Sequence, residues 1–174
     1  GCDLLLNAFA SLAAKAPDLD LVIAGPDHTG WKAALEQQAR ELGIADRVHW
    51  PGMLSGDSKW GAFRSCEAFA LPSHQENFGI VVAEAMACEK PVLITNKVNI
   101  WREVEACGAG IVGQDTSEGV EAVLRNYFDL DPDKRTSMGQ RARAGFLKHF
   151  DISMAARDLA VACEQAKDKA ATTR

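Results

Sequence analysis

Ala68-Phe-Ala-Leu-Pro-Ser-His-Gln-Glu-Asn-Phe-Gly-Ile-Val-Val-Ala-Glu-Ala-Met-Ala87 is the stretch on which the fold of this chain turns. A short apolar run ends at Leu71-Pro72, a polar loop carries Glu76, and a helix opens near Gly79 with a second carboxylate, Glu84, in its body. Proline has no N–H for a sheet ladder, so Pro72 stops the strand and leaves Ser73 to Asn77 as a loop at its carboxyl end. The first N–H groups of a helix lack intrahelical partners, and the aligned peptide dipoles add partial positive charge there. The Asn77-Phe78-Gly79-Ile80 segment therefore suits an anion. Gly79 lets a ligand come close to the backbone. Open α/β sheets bind ligands at such strand ends.

The two carboxylates divide between loop and helix. On one continuous helix Glu76 and Glu84 would diverge by about 80°. They converge on a ligand more easily with Glu76 in the loop and Glu84 on the helix. Glutamate is a good helix former and most helical glutamates are solvated, so spacing alone makes Glu84 a surface residue.

Outward from this unit, strands and helices alternate. Asp3 to Ala14 reads as a helix with Leu4, Leu5, Ala8, Phe9 and Leu12 on one face, and Leu19 to Ala24 as a buried strand ending in Gly25-Pro26. Trp31 to Leu42 is helical, with Gly43 in the C-terminal cap position. Val48 to Trp50 is a short strand, Asp57 to Arg64 a helix, Ala68 to Leu71 a strand and Phe78 to Ala87 a helix. Pro91 to Thr95 is a strand, Trp101 to Ala106 a short helix and Gly110 to Val112 a short strand. Helices follow at Ser117 to Phe128, Pro132 to Phe150 and Ile152 to about Lys167, and the small polar tail from Asp168 to Arg174 frays. This order predicts a doubly wound, mostly parallel sheet covered on both faces.

Composition narrows the function classes. The 174 residues are 47% hydrophobic, enough for one domain that buries roughly 70% of the surface its unfolded chain exposes. No apolar run approaches the roughly 18 residues of a membrane span, and no charged-then-apolar leader precedes the first helix, so the sequence reads as soluble. With 19 basic and 24 acidic residues the net charge is −5, and no Lys/Arg stripe forms, which argues against nucleic acid as a partner. Cys2, Cys66, Cys88, Cys107 and Cys163 are odd in number and scattered, as reduced thiols of a cytoplasmic protein are. His28, His49, His74 and His149 have no metal-ligand spacing, so no metal is expected.

Pro72-Ser73-x-x-Glu76-x-Phe78-Gly79-x-x-x-x-Glu84-Ala85-Met86-Ala87-Cys88-x-x-Pro91-Val92 resembles the signature of the retaining glycosyltransferases of family four, which have the GT-B fold. Leu21-Val22-Ile23-Ala24-Gly25-Pro26-Asp27 and Val48-His49-Trp50-Pro51-Gly52-Met53 resemble the two preceding strand and loop units of that family's C-terminal domain. Trp101-Arg102-Glu103-Val104 and Gly108-x-Gly110-Ile111-Val112 fit the two that follow. The resemblance implies a Rossmann-like donor domain over residues 1–150, with 151–174 as a C-terminal helix and tail. It also implies transfer of a hexosyl group from a nucleoside diphosphate sugar to an acceptor hydroxyl on a glycan, lipid or small molecule, with no cofactor beyond the donor. A cytoplasmic setting is implied, any association with the inner membrane belonging to an acceptor domain absent from this chain.

Residue by residue, the resemblance makes Glu76 the carboxylate on the donor sugar and Glu84 the ribose ligand. A carboxylate accepting two hydroxyl hydrogen bonds is an effective diol clamp. Glu76 is equally suited to capping the helix that follows it, and both roles are compatible. Ser73, Asn77, Phe78, Gly79 and Ile80 would face the donor, mainly through backbone N–H groups, with the Phe78 ring packing. Gly25, Pro26, Asp27, Gly52 and Met53 would lie at the nucleobase and ribose, Met53 being equally suited to core packing. His74 reads as a hydrogen-bonded bystander, and Trp31, Trp50, Trp60 and Trp101 as core or helix-face residues.

Departures from the family pattern carry expectations too. Glu89-Lys90 stand where a glycine usually follows the Ala-Cys pair, and the Asn96-Lys97-Val98-Asn99-Ile100 loop lacks the usual glycine pair, which leaves Glu103 outside the site. Gly1 to Leu5 resemble residues just after the family's first strand, so that strand, and the Arg and Lys that follow it toward the diphosphate, have no counterpart here. In a 3-2-1-4-5-6 order its loss leaves the strands at Leu19 to Ala24 and Ala68 to Leu71 facing each other. Either they pair directly, or a strand from another chain inserts, or residues preceding Gly1 complete the sheet. Two other functions share these features, a nucleotide-sugar 2-epimerase of related fold and a non-catalytic nucleotide-sugar binding module. Epimer formed from donor without acceptor marks the first, and transfer retained by a full-length Glu76→Ala variant argues against Glu76 as the catalytic residue.

Overall fold

The computed structural model describes residues 1–27 and 30–172, so His28 and the last two residues lie outside the described residues. Its elements run α1 (Cys2–Ala13), β1 (Leu21–Ala24), α2 (Trp31–Glu41), a 3-10 turn (Ala45–Arg47), β2 (Val48–Gly52), α3 (Gly56–Ser65), β3 (Phe69–Leu71) and α4 (Ile80–Ala87). They continue through β4 (Val92–Thr95), α5 (Trp101–Cys107), β5 (Gly110–Gly113), α6 (Ser117–Phe128), α7 (Pro132–His149) and α8 (Ile152–Thr172). The 3-10 turn carries no strong propensity signal. α8 runs past the expected fraying point because its last residues are mostly alanine and lysine, good helix formers.

Strand β4 organises the core. Val-Leu-Ile-Thr is β-branched or bulky throughout, and all four residues are buried, as a strand with helices on both faces must be. It pairs in parallel with β3 through Phe69 to Val92 and Leu71 to Ile94, and with β5 through Val92 to Gly110 and Thr95 to Gly113. Alternation sends Val92 and Ile94 to one face, where α3, α4, α5 and α7 supply Phe63, Val82, Met86, Val104 and Ala142. Leu93 goes to the other face, against Leu5 of α1 and Val120, Leu124 and Tyr127 of α6.

The sheet is not continuous. Strands β1 and β2 form their own parallel pair, and β3, β4 and β5 form another sheet. Direct pairing between β1 and β3, the first of the three expected closures, does not occur. What joins the two sheets is α1, which is apolar over more than one stripe. Its Leu4, Leu5 and Ala8 pack with β3, β4 and α6, while Leu6, Phe9 and Ala13 pack with β1, β2 and α2. The smaller sheet is covered on one face only, so β1 alternates rather than being buried throughout, and Val22 is 56% exposed. Gly1 lies against the end of β3, where an added Cβ would stand 1.8 Å from the Pro72 carbonyl oxygen.

Arg47 fastens the smaller sheet to α1. Its guanidinium donates to the Ala13 carbonyl at 2.8 Å, to the Ala16 carbonyl at 2.5 Å and to the Leu19 carbonyl. The last carbonyls of a helix have no intrahelical donor, so this side chain serves both the end of α1 and the turn leading into β1.

Candidate functional site

Parallel strands place all their carboxyl ends on one edge, and the expected site residues gather there. Glu76 is tied into the edge by its backbone. Its N–H donates to the Lys97 carbonyl at 3.0 Å, and its carbonyl accepts from the Asn99 N–H at 3.1 Å. These bonds form a short parallel bridge to Val98 that extends the β3 and β4 pairing past the strand ends. Below it, the buried Thr95 hydroxyl donates to the Ser73 carbonyl and holds the base of the same loop.

The Glu76 side chain folds back on the helix. Oε1 accepts from the Gly79 N–H at 3.3 Å, so the capping role is present. Gly79 is left-handed, at φ 77°, and serves as the N-cap, which starts α4 at Ile80 rather than at Phe78. A Cβ on Gly79 would stand 2.8 Å from Val98 Cγ1 and 3.6 Å from Glu76 Cγ, so glycine lets the two loops meet. Ile80 and Val81 have no carbonyl one turn back within α4, which leaves their N–H groups as its leading donors. Asn77 and Ile80 are exposed. Phe78 packs edge-on against Phe150 with centroids 5.8 Å apart, yet remains half exposed.

The ends of β1 and β2 form a second group. The Gly25 N–H donates to the Gly52 carbonyl at 2.9 Å, which brings the two strand ends together. Pro26 and Asp27 are exposed. Met53 is 69% exposed, so its core-packing reading is wrong. It follows the last residue of β2, beyond the reach of the helices that cover that sheet. Of the tryptophans, Trp50, Trp60 and Trp101 pack on the cores, while Trp31 is 64% exposed on the first turn of α2.

An ion pair joins α3, which follows β2, to α4. Lys59, on α3 just after β2, places Nζ 2.6 Å from Glu84 Oε1 on α4. The side chains are 32% and 22% exposed, so Glu84 is not the freely solvated carboxylate that spacing alone suggests. The Lys59 ammonium also lies over the Trp60 ring, 4.6 Å from its centroid. On the β5 side, His74 Nδ1 lies 3.4 Å from Asp115 Oδ2, as the bystander reading has it, and Lys97 Nζ lies 4.0 Å from Asp115 Oδ1. Lys59, Thr95, Lys97 and Asp115 are the edge residues the sequence reading missed. Each is an ordinary polar residue whose place becomes visible only when separate strand ends meet. Among the described residues no cluster of three or more His, Cys, Asp or Glu side chains is arranged to hold a metal ion, and no helix is long and apolar enough to cross a membrane.

The strand ends of this parallel α/β core thus carry a carboxylate-bearing loop, a glycine-capped helix and a second helical carboxylate. The chain belongs to the glycosyl transferases group 1 family, whose model matches residues 1–145. It is 32% identical over 175 residues to a D-inositol 3-phosphate glycosyltransferase of Actinosynnema mirum, covering 95% of this chain and 41% of that protein. The chain thus spans about two-fifths of that relative's length. Among solved structures, Anabaena HepE in complex with UDP is similar with a TM-score of 0.81 at 23% identity, over 93% of this chain and 44% of that one. The C-terminal domain of LpcC, a glycosyl transferase group 1 family protein from Francisella tularensis, is similar with a TM-score of 0.75 at 23% identity. That likeness covers 87% of this chain and 80% of that one. The fold is that of the C-terminal half expected from the sequence.

Proposed function

We propose that this chain is the donor-binding part of a retaining glycosyltransferase that moves a hexosyl group from a nucleoside diphosphate sugar to an acceptor hydroxyl. The observation that carries the reading is the position of Glu76, fixed by its backbone to the 97–99 loop and by its carboxylate to the N-terminus of α4. A carboxylate and an open helix end then stand side by side, one for sugar hydroxyls and one for phosphate oxygens. Glu84 clamps the ribose, and the ends of β1 and β2 at Gly25, Pro26, Asp27, Gly52 and Met53 receive the nucleobase. The UDP held by the HepE neighbour supports a uridine nucleotide as the first donor to test.

In the reaction, the bond from the anomeric carbon to the diphosphate oxygen breaks and the acceptor oxygen bonds to that carbon on the same face. The acceptor proton leaves with the diphosphate. The α4 N-terminus stabilises the charge growing on the departing group, and Glu76 orients the sugar. The test is a thermal-shift screen of the full-length protein with UDP-, GDP- and ADP-sugars, since a ligand that binds only the native state adds ~2.7 kcal/mol at 100 times Kd. A stabilising donor followed by transfer to acceptor supports the reading. Epimer formed from that donor without acceptor, or no shift with any of the three, overturns it.

A further inference from the structure

The Lys59–Glu84 pair holds more than two helices. Lys59 sits in the first turn and a half of α3 and Glu84 in that of α4, and both helices start at the ligand edge. The ammonium is restrained from two sides, by Glu84 Oε1 at 2.6 Å and by the Trp60 ring at 4.6 Å. A lysine restrained twice is a fixed point charge. An ionised carboxylate has about four lone-pair directions, and one contact on Oε1 leaves enough of them for two hydroxyl donors. A glutamate side chain has three rotatable bonds, and holding one oxygen selects among its rotamers before a ligand arrives.

We propose that Lys59 is a positioning residue for Glu84, fixing the carboxylate in the orientation that accepts both hydroxyls of the donor ribose. The inference rests on Glu84 as the ribose ligand. The pair also has a plain alternative, an ion pair stapling α3 to α4, and the two roles differ in what they move. A staple changes stability alone. A positioning contact changes discrimination between a ribose and a ring that lacks one hydroxyl.

The experiment uses the full-length protein and whichever of UDP, GDP and ADP it binds most tightly, together with the 2′-deoxy form of that nucleotide. Affinities are measured by calorimetry for the unaltered protein, Lys59→Met, Lys59→Arg, Glu84→Gln and the double variant Lys59→Met/Glu84→Gln, with thermal midpoints recorded for each. Glu84→Gln should lower the preference for ribose over 2′-deoxyribose about tenfold. Lys59→Met should lower it about threefold or more, with no further loss when added to Glu84→Gln, because a residue acting through Glu84 has nothing left to act on. Lys59→Arg should restore part of the preference. A lowered midpoint for Lys59→Met with the preference unchanged, while Glu84→Gln loses it, overturns the positioning role and leaves the ribose reading standing. A preference unchanged by Glu84→Gln, or no binding of any of the three nucleotides, removes the ribose reading and this inference together.

Discussion

Replacing Gly79 by alanine tests the contact that holds Glu76 at the helix end. The residue has φ 77°, a conformation that costs a non-glycine residue about 1–2 kcal/mol. The added methyl would lie 2.8 Å from Val98 Cγ1, about 1 Å inside ordinary carbon contact. Val98 is fully buried and β-branched, so its χ1 is stiff and the overlap is relieved by moving backbone. Overpacking of this kind adds roughly 1–3 kcal/mol. Against these stands roughly 0.4–1 kcal/mol from the smaller freedom of the unfolded chain. The net expectation is a loss of roughly 2–4 kcal/mol, or a fall in urea midpoint of roughly 1–2 M at an m-value of about 2 kcal/mol per molar. Gly43→Ala is the control. Gly43 has φ 70° with nothing within 4 Å of an added Cβ, so only the conformational cost of about 1 kcal/mol applies. Equal midpoint losses in the two variants, or a Gly79→Ala loss below about 0.5 kcal/mol, would show that Val98 gives way and that the close approach does not hold the loop.

Under the proposed function, Glu76→Gln in the full-length protein should lower kcat and Glu84→Gln should raise the donor KM, each roughly 10–100-fold, the size of a lost hydrogen bond to a charged group; the same kinetic change in both would end that division of roles. Tyr127 is the single tyrosine of the chain; burial, reinforced by the Glu67 carboxylate, pushes its phenol well above the ordinary value. The folded state therefore holds this proton more tightly than the unfolded state. The stability it contributes is fully present below about pH 10 and is lost as pH rises from there toward the folded value. Tyrosinate absorbance should rise only with unfolding, and Tyr127→Phe should flatten the alkaline fall of the denaturation midpoint; phenolate forming near pH 10 in the folded protein would contradict this. Arg47→Met strips donors from the Ala13, Ala16 and Leu19 carbonyls and should lower stability by about 2–4 kcal/mol in chemical denaturation. A loss below about 0.5 kcal/mol would mean that water serves those carbonyls equally well.

The amino-acid sequence by itself determined what depends on neighbours along the chain. Pro72 ended β3 and Gly43 closed α2, because a missing N–H and a left-handed backbone are properties of single residues. The Pro91 to Thr95 run read as a strand because it is apolar and largely β-branched, whereas its burial on both faces, like the exposure of Val22 in the equally apolar β1, was decided by the helices around it. Order along the chain likewise put Glu76 at a strand end and Glu84 on the next helix. Tertiary structure decided whatever joins distant segments. The core does not reach Met53, and that exposes it. Lys59 finds Glu84 across 25 residues because two helices start side by side, and neither residue type announces a partner. The same holds for the split sheet. The sequence left β1 and β3 facing each other, and only the packed chain showed that they do not pair and that α1 packs against both sheets. Hydrophobic burial has no direction, so the sequence showed that α1 would be buried, and only the packed chain showed against what.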